Sequence, residues 1–186
     1  MLTDGCFLVR LTKSPLGFAG FATTLMTLSL SMMGARGIEN EGMFIGNLLL
    51  LAGLGLIITA QWEMVRGNTF AYTILSAFGF YYGGYGIMLL PSLGIIESYG
   101  GRTSEYYNAF GLYLTVRSCL NFIFFLASLS TNVANIIVYG ALEILYILNS
   151  AAKFAMADGD FPTERILTRT AVAFGAISAL SGFYLL

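Results

Sequence analysis

The chain has 186 residues, of which 57% are hydrophobic and only 10% are charged. Soluble domains carry about 25% charged residues, so this composition excludes an ordinary water-soluble domain and favours a membrane protein. Nine basic against ten acidic residues leave a net charge of −1, which excludes a basic nucleic-acid-binding protein. The sequence has no histidine. Ser-His-Asp catalysis and histidine metal sites are therefore excluded, and we predict no enzymatic activity, no metal and no cofactor.

Six apolar stretches are long enough to span a bilayer, for which a helix needs roughly 20 apolar residues. Backbone groups in hydrocarbon must be hydrogen-bonded within the chain, so each stretch is predicted to be a helix. A barrel is disfavoured because the stretches do not alternate polar and apolar residues. We therefore predict an all-α, multi-pass integral membrane protein. Residues 1–186 form one domain with six transmembrane helices, at about 16–34, 43–61, 69–90, 109–129, 133–153 and 166–186.

Aromatic and hydroxyl side chains share one face of the first predicted span. Helical periodicity places Phe21, Thr24 and Thr27 on the same stripe as Leu28 and Ser31. A ring followed by hydroxyls suits a narrow, partly polar conduit, which makes Thr24, Thr27 and Ser31 candidate pore-lining residues. Hydroxyls in membrane helices also bond to their own backbone or to a neighbouring helix, and spacing alone favours this second interpretation.

The third predicted span combines glycines with large aromatic residues. Gly79 and Gly83 form a GxxxG pair, which permits close approach of a second helix. Phe78, Tyr82 and Tyr85 lie on one helical face. Rings on such a face either narrow a pore, which then gates by dewetting, or pack against glycine on another helix. Spacing alone favours packing.

Two charged side chains fall in the middle of predicted spans. Arg117 lies 12 residues before Leu129, and Glu143 lies 10 residues after Val133. At about 1.5 Å rise per residue, the two lie at similar depth in neighbouring spans. An unpaired charge at the bilayer centre costs at least about 2.5–3.5 kcal/mol, so we predict that they form a buried ion pair or share a water-filled cavity. Such a pair either joins two helices or lies beside a permeation path.

Several short strings together carry a family resemblance. The most specific is Trp62-Glu63 followed by Gly-Asn-Thr-Phe at 67–70, and it is accompanied by Ser-Pro-Leu-Gly-Phe at 14–18. From about Thr12 to Leu186 the chain resembles the acetate uptake transporter family, which includes bacterial succinate–acetate permeases and fungal acetate and ammonia-export proteins. The matching motif residues are Pro15, Leu16, Gly17, Glu63, Gly67, Asn68, Thr69 and Phe70.

The resemblance implies a six-helix protomer in a plasma-membrane homohexamer, each protomer with its own path through the bilayer. It implies acetate, succinate or other small monocarboxylates as substrate, often with proton coupling, and no nucleic-acid partner. It also implies a hydrophobic constriction, with Phe21, Phe78 and Leu142 at the matching positions. For the first span the resemblance therefore favours the pore-lining interpretation over packing, and the face that carries Phe21 is expected to line the path.

The chain departs from the family pattern at polar positions. Phe78 stands where the family has a Tyr, and Leu56 stands where it has a Gln. Arg117 occupies the position of a Trp, and Glu143 occupies the position of a Thr. The leading Asn-Pro of the first motif is also replaced, by Thr12 and Lys13 in this sequence. These departures keep two alternatives open: a non-transporting assembly or sensor protein of the same fold, and a transporter of ammonia or ammonium.

Overall fold

The structure, a computed structural model, describes residues 15–38 and 41–186, so the position of the missing Asn-Pro lies outside the described residues. In this part of the chain the regular elements are helices. Short 3-10 turns occur at Ala35–Gly37, Glu41–Phe44 and Pro91–Leu93, and a π-helical segment, Asn47–Leu54, leads directly into the second helix. The α-helices are α1 (Pro15–Met32), α2 (Gly55–Val65), α3 (Thr69–Met88), α4 (Ile95–Ser98), α5 (Ser104–Ser128), α6 (Val133–Ala157) and α7 (Phe161–Tyr184).

Most of these helices have the length and apolar character of membrane spans. Five segments qualify on their own, and α3 qualifies together with Pro91–Ser98, which is bent away from it by 71°. The predicted all-α, multi-pass architecture is therefore confirmed. The five segments are Pro15–Met32, Glu41–Val65, Ser104–Ser128, Val133–Ala157 and Phe161–Tyr184.

Helices α5 and α7 begin earlier than the apolar runs predicted, at 104 and 161 rather than about 109 and 166. Side-chain caps set both starts. The Thr103 hydroxyl accepts from the Tyr106 N–H at 3.3 Å, and Asp160 Oδ1 accepts from the Thr163 N–H at 3.2 Å. Such caps satisfy the free N–H groups of a first turn that is polar and is not part of the apolar run.

The helices follow one another in space as α3, α2, α1, α7, α6 and α5, with close backbone packing between successive members. Helices α3 and α5 complete the ring without such packing and meet through side chains instead. Tyr81 of α3 stacks on Tyr113 of α5 at 5.9 Å, and Tyr85 stacks on Phe110 at 6.0 Å. An aromatic seam therefore closes the bundle.

Glycine brings α2 and α3 into backbone contact, as the GxxxG pair predicts. A Cβ atom added at Gly79 would lie 2.7 Å from Ile57 Cγ1 and 2.9 Å from the Gly53 carbonyl oxygen. One turn later, a Cβ atom on Gly53 would lie 3.2 Å from Gly83 Cα. Small residues at such crossings let two backbones approach closely and gain van der Waals contact, which is the main source of helix association in a membrane.

Gly79→Ala is expected to destabilise the protein by about 1–3 kcal/mol, since the added methyl group overlaps a backbone carbonyl that cannot move aside alone. Thermal unfolding of the purified protein in detergent measures this loss. Gly84→Ala is the matched control on the same helix, because no atom lies within 4 Å of its added Cβ. Equal unfolding temperatures for the two variants would contradict the proposed α2–α3 contact.

Candidate functional site

Several cavities lie between the helices, and four of them are relevant to the predicted site residues. We name them by one residue each: the Asn68 cavity of about 310 Å³, the Val138 cavity of about 20 Å³, the Tyr146 cavity of about 50 Å³ and the Lys153 cavity of about 360 Å³. The first two share lining residues, including Phe18 and Tyr139. The last two share Tyr85 and Phe110. The cavities thus form two connected pairs.

A cluster of aromatic rings separates the two pairs. Phe21 and Phe78 line the Val138 cavity, and Tyr82 lines the Tyr146 cavity. The Phe21 and Phe78 centroids are 5.6 Å apart in an edge-to-face arrangement, and each lies within 6.5 Å of the Tyr82 centroid. All three side chains are at most 5% exposed. The structure therefore brings the sequence-predicted Phe21 and Phe78 into contact with each other, between the two pairs of cavities.

Leu142, the third residue predicted for a constriction, is fully buried in the same core. Helix α6 lines the Val138 cavity with Val138 and Tyr139 and the Tyr146 cavity with Tyr146 and Asn149. Leu142 lies one helical turn from both Val138 and Tyr146, on the same face of α6. Its position along the helix therefore matches the level of the aromatic cluster.

The hydroxyl groups of α1 are placed differently from the pore-lining prediction. The Thr24 hydroxyl accepts from the Asn47 amide at 3.0 Å, and the Thr27 hydroxyl donates to the Thr23 carbonyl at 2.7 Å. Buried Ser31 is likewise not among the residues that line these cavities, where α1 contributes Leu28 and Ser29 in its place. The Thr24 and Thr27 hydroxyls are thus used in bonds to the second span and within α1 itself.

The predicted ion pair between Arg117 and Glu143 is not formed. Ser118 Oγ donates to Glu143 Oε1 at 2.5 Å, and Asn121 Nδ2 donates to Oε2 at 2.8 Å. In the described residues the salt bridge is instead Arg66–Glu63, at 2.8 Å. Successive helical residues point about 100° apart, so the face of α5 that holds Glu143 through Ser118 differs from the face of Arg117. Equal depth alone does not bring two side chains together.

The Arg117 guanidinium lies in the aromatic seam, on the edge of the cluster. Its Cζ atom is 4.4 Å from the Phe78 ring centroid, 4.5 Å from that of Tyr81 and 5.8 Å from that of Tyr146. A guanidinium over an aromatic face is attracted by the negative face of the ring. A buried cation therefore touches the ring that closes the path.

The family-motif residues form a corner between α2 and α3. Glu63 is 2% exposed, and its two oxygens accept from Arg66 Nη1 at 2.8 Å and from Asn68 Nδ2 at 2.7 Å. Gly67 adopts φ 76°, a left-handed conformation that suits glycine at the end of α2. Asn68 then caps α3 by accepting from the Ala71 N–H at 3.3 Å. Glu63 and Asn68 also line the Asn68 cavity, so the motif builds one end of the row of cavities.

The remaining motif residues lie beside this corner. Pro15, Leu16 and Gly17 form the first turn of α1, and a Cβ atom on Gly17 would lie 3.1 Å from Thr59 of α2. Thr69 starts α3, and Phe70 lines the Asn68 cavity. Sequence reasoning did not single out Tyr139 and Phe124, whose rings lie 6.4 and 6.3 Å from Phe78. The only signal for them was their aromatic character within apolar runs.

Comparison with known proteins agrees with this geometry. A family model described as the GPR1/FUN34/yaaH family matches residues 12–186. The chain belongs to this family. The family predicted from the sequence motifs is thereby confirmed.

Members of the GPR1/FUN34/yaaH family with related sequences include fungal proteins. Acetate transporter protein patA is 34% identical in Aspergillus clavatus and 33% in Penicillium expansum, in each case covering 93% of this chain and 70% of the relative. Ammonia transport outward protein 2 of Saccharomyces cerevisiae is 29% identical, over 92% of this chain and 58% of its own length.

A solved structure supports the fold of this family member. The bacterial acetate channel SatP superposes with a TM-score of 0.73, over 92% of this chain and 87% of SatP, at 23% identity. At this identity the match concerns the arrangement of the helices. Both therefore share one helical membrane fold.

Asn68→Ala is expected to lower stability by about 1–2 kcal/mol, because it removes the cap of α3 and a hydrogen bond to a buried carboxylate. Thermal unfolding in detergent measures the change. Asn108→Ala is the matched control, since the exposed Asn108 amide makes one hydrogen bond of 3.4 Å, to Ser104. If both variants unfold at the same temperature, the corner does not have the stabilising role assigned to it.

Proposed function

We propose that the protein carries acetate and other small monocarboxylates across a membrane. The observation that supports this most is the row of cavities, which is interrupted between the Val138 and Tyr146 cavities by the rings of Phe21, Phe78 and Tyr82. Two fungal relatives named as acetate transporters, at 34% and 33% identity, support the substrate class. The name of SatP, an acetate channel of the same fold, agrees with it.

In this proposal the aromatic cluster selects the substrate by size and by the cost of removing its water. Apolar constrictions exclude water, so a carboxylate passes only if protein groups replace part of its hydration. The Phe21 and Phe78 rings are in edge-to-face contact at 5.6 Å, so an alkyl group of one or two carbons passes only when a ring moves aside. Movement of Phe78, which is in contact with four other aromatic rings, would open the path.

Proton coupling, succinate transport, a homohexamer and a plasma-membrane location complete the proposal. They follow from the family resemblance, and the hexamer is also compatible with the large apolar side chains exposed on α5, such as Val116 and Ile123. In a bilayer these side chains contact either lipid or another protomer. Mass measurement of the detergent-solubilised protein distinguishes six copies from one.

Labelled acetate is expected to enter liposomes that contain the protein faster than empty liposomes. An inward proton gradient is expected to accelerate this uptake, because the acid and a proton move together. Radiolabel uptake at equal and unequal internal pH measures both effects. Uptake equal to that of empty liposomes, with intact oligomers, would favour the non-transporting alternative and contradict the proposal.

Ammonia is a second candidate substrate because of the yeast relative named as an outward ammonia transporter. Ammonium added to the same liposomes distinguishes the two. We expect acetate uptake to be unaffected by ammonium beyond its effect on internal pH. Labelled methylammonium flux that exceeds acetate flux would favour ammonia as the substrate.

Phe78→Ala is expected to relax discrimination against acids one methylene longer than acetate by up to about tenfold. One methylene in an apolar pocket is worth about 1–3 kcal/mol, and truncation removes the ring on which this selection depends. Relative uptake of acetate, propionate and butyrate measures the change. Phe80→Ala is the matched control two residues away, because the Phe80 side chain is 68% exposed on the outer face of α3. Unchanged selectivity in Phe78→Ala would remove Phe78 from the constriction.

A further inference from the structure

Arg117 has hydrogen-bonding groups that nothing in the described part of the chain satisfies. Its side chain is 7% exposed, and Nε and Nη2 are buried without a hydrogen-bond partner. The aromatic rings of Phe78 and Tyr81 cover the faces of the guanidinium but offer no acceptor oxygen to these two N–H groups. The guanidinium is therefore held in place by stacking while two of its donors stay free.

This arrangement is costly unless an anion completes it. A buried charge without partners loses solvation free energy that cation–π contacts recover only in part. The carboxylate predicted to neutralise Arg117 is turned away, since Glu143 accepts from Ser118 and Asn121. The positive charge therefore has no counter-ion in the membrane interior of the described chain.

The guanidinium is in contact with two residues that line one of the cavities. Tyr81 and Tyr146, which both contact the guanidinium, line the Tyr146 cavity. Tyr82 lines the same cavity, and its buried hydroxyl also has no hydrogen-bond partner. One small cavity therefore has the Tyr82 hydroxyl in its lining and the Arg117 cation behind two of its lining tyrosines. Its lining also includes Leu25 and Leu28.

We propose that Arg117 is the anion-binding residue of this path, where it holds the carboxylate of the substrate next to the Phe78 ring. This inference rests on the proposed transport of small carboxylates and names the residue that recognises them. Nε–H and Nη2–H point from one edge of the planar guanidinium, which is the geometry that binds a carboxylate in a bidentate manner. The Tyr82 hydroxyl donates a third hydrogen bond, and the alkyl group of the acid lies against Leu25 and Leu28.

Binding of acetate to the purified protein tests this assignment separately from transport. Isothermal titration in detergent at pH 7 is expected to show saturable acetate binding to the wild type. Arg117→Gln is expected to weaken it by about 10- to 100-fold, the loss that follows from removing a charged hydrogen-bonded contact. Arg117→Lys keeps the charge but lacks the two N–H groups on one edge of the guanidinium. This variant is expected to bind acetate with intermediate affinity.

Arg169→Gln is the matched control, because it makes the same change of charge at an exposed position of α7. Its acetate affinity is expected to equal that of the wild type. Thermal unfolding shows whether each variant folds, and Arg117→Gln is expected to remain folded because it removes a buried guanidinium without hydrogen-bond partners.

The pH profile of uptake provides a readout that a purely structural arginine would not change. With Arg117 present, we expect uptake of the acetate anion to persist at neutral pH. In Arg117→Gln we expect uptake to be confined to acidic pH, where the neutral acid crosses the apolar cluster without a counter-charge. The titratable groups facing Arg117 are Tyr81 and Tyr82 of α3, Tyr113 of α5 and Tyr146 of α6, and tyrosine stays neutral over this range.

The outcomes separate this inference from the proposed function. Wild-type uptake of acetate with unchanged affinity and pH profile in Arg117→Gln would overturn the role of Arg117 and leave transport intact. Affinity of Arg117→Lys equal to the wild type would overturn the bidentate contact. Absence of acetate uptake by the wild type would contradict the proposed function itself, whereas saturable binding lost in Arg117→Gln would still support an anion site.

Discussion

Contact between the Phe78 ring and the Arg117 guanidinium joins α3 to α5, and the interior of the bundle is organised around it. Successive helices from α3 through α2, α1, α7 and α6 to α5 pack by close backbone approach, whereas α3 and α5 meet through side chains. Large rings therefore fill the space that small residues fill elsewhere.

The contact between Phe78 and Arg117 has two opposite electrostatic effects. The rings exclude water, which strengthens any electrostatic interaction inside the bundle, and they also raise the cost of leaving a charge unpaired there. Arg117 is held at this place by two ring faces, at 4.4 and 4.5 Å from the Phe78 and Tyr81 centroids. In the proposed function, a carboxylate that reaches Arg117 gains a charged partner that offsets part of its desolvation, whereas a neutral solute needs no such partner. The proposed function and the proposed role of Arg117 therefore place size selection and charge selection in one cluster.

The fold was predictable from the sequence because the bilayer leaves an apolar run few structural choices. The apolar runs did not reveal the polar caps Thr103 and Asp160, the π-helical segment before α2 or the 71° bend between Met88 and Pro91. Within the site, periodicity and the family motifs singled out Phe21 and Phe78, whose ring centroids lie 5.6 Å apart. The predicted Arg117–Glu143 ion pair was wrong because the prediction used the depth of each residue along its helix. The rotation of each helix about its axis, which decides the facing side chains, was not known from the sequence.

Placement of the hydroxyls and of Glu143 bears on how a proton would travel with the substrate. The Thr24 and Thr27 hydroxyls are engaged in bonds to Asn47 and to the α1 backbone, so they do not form a relay along the cavities. Glu143 accepts two hydrogen bonds at the α5–α6 contact, and the sequence contains no histidine. The groups that remain beside the narrow point are tyrosines and one arginine, none of which exchanges a proton near neutral pH. A proton that crosses this cluster with the substrate is therefore carried by the acid itself or by water.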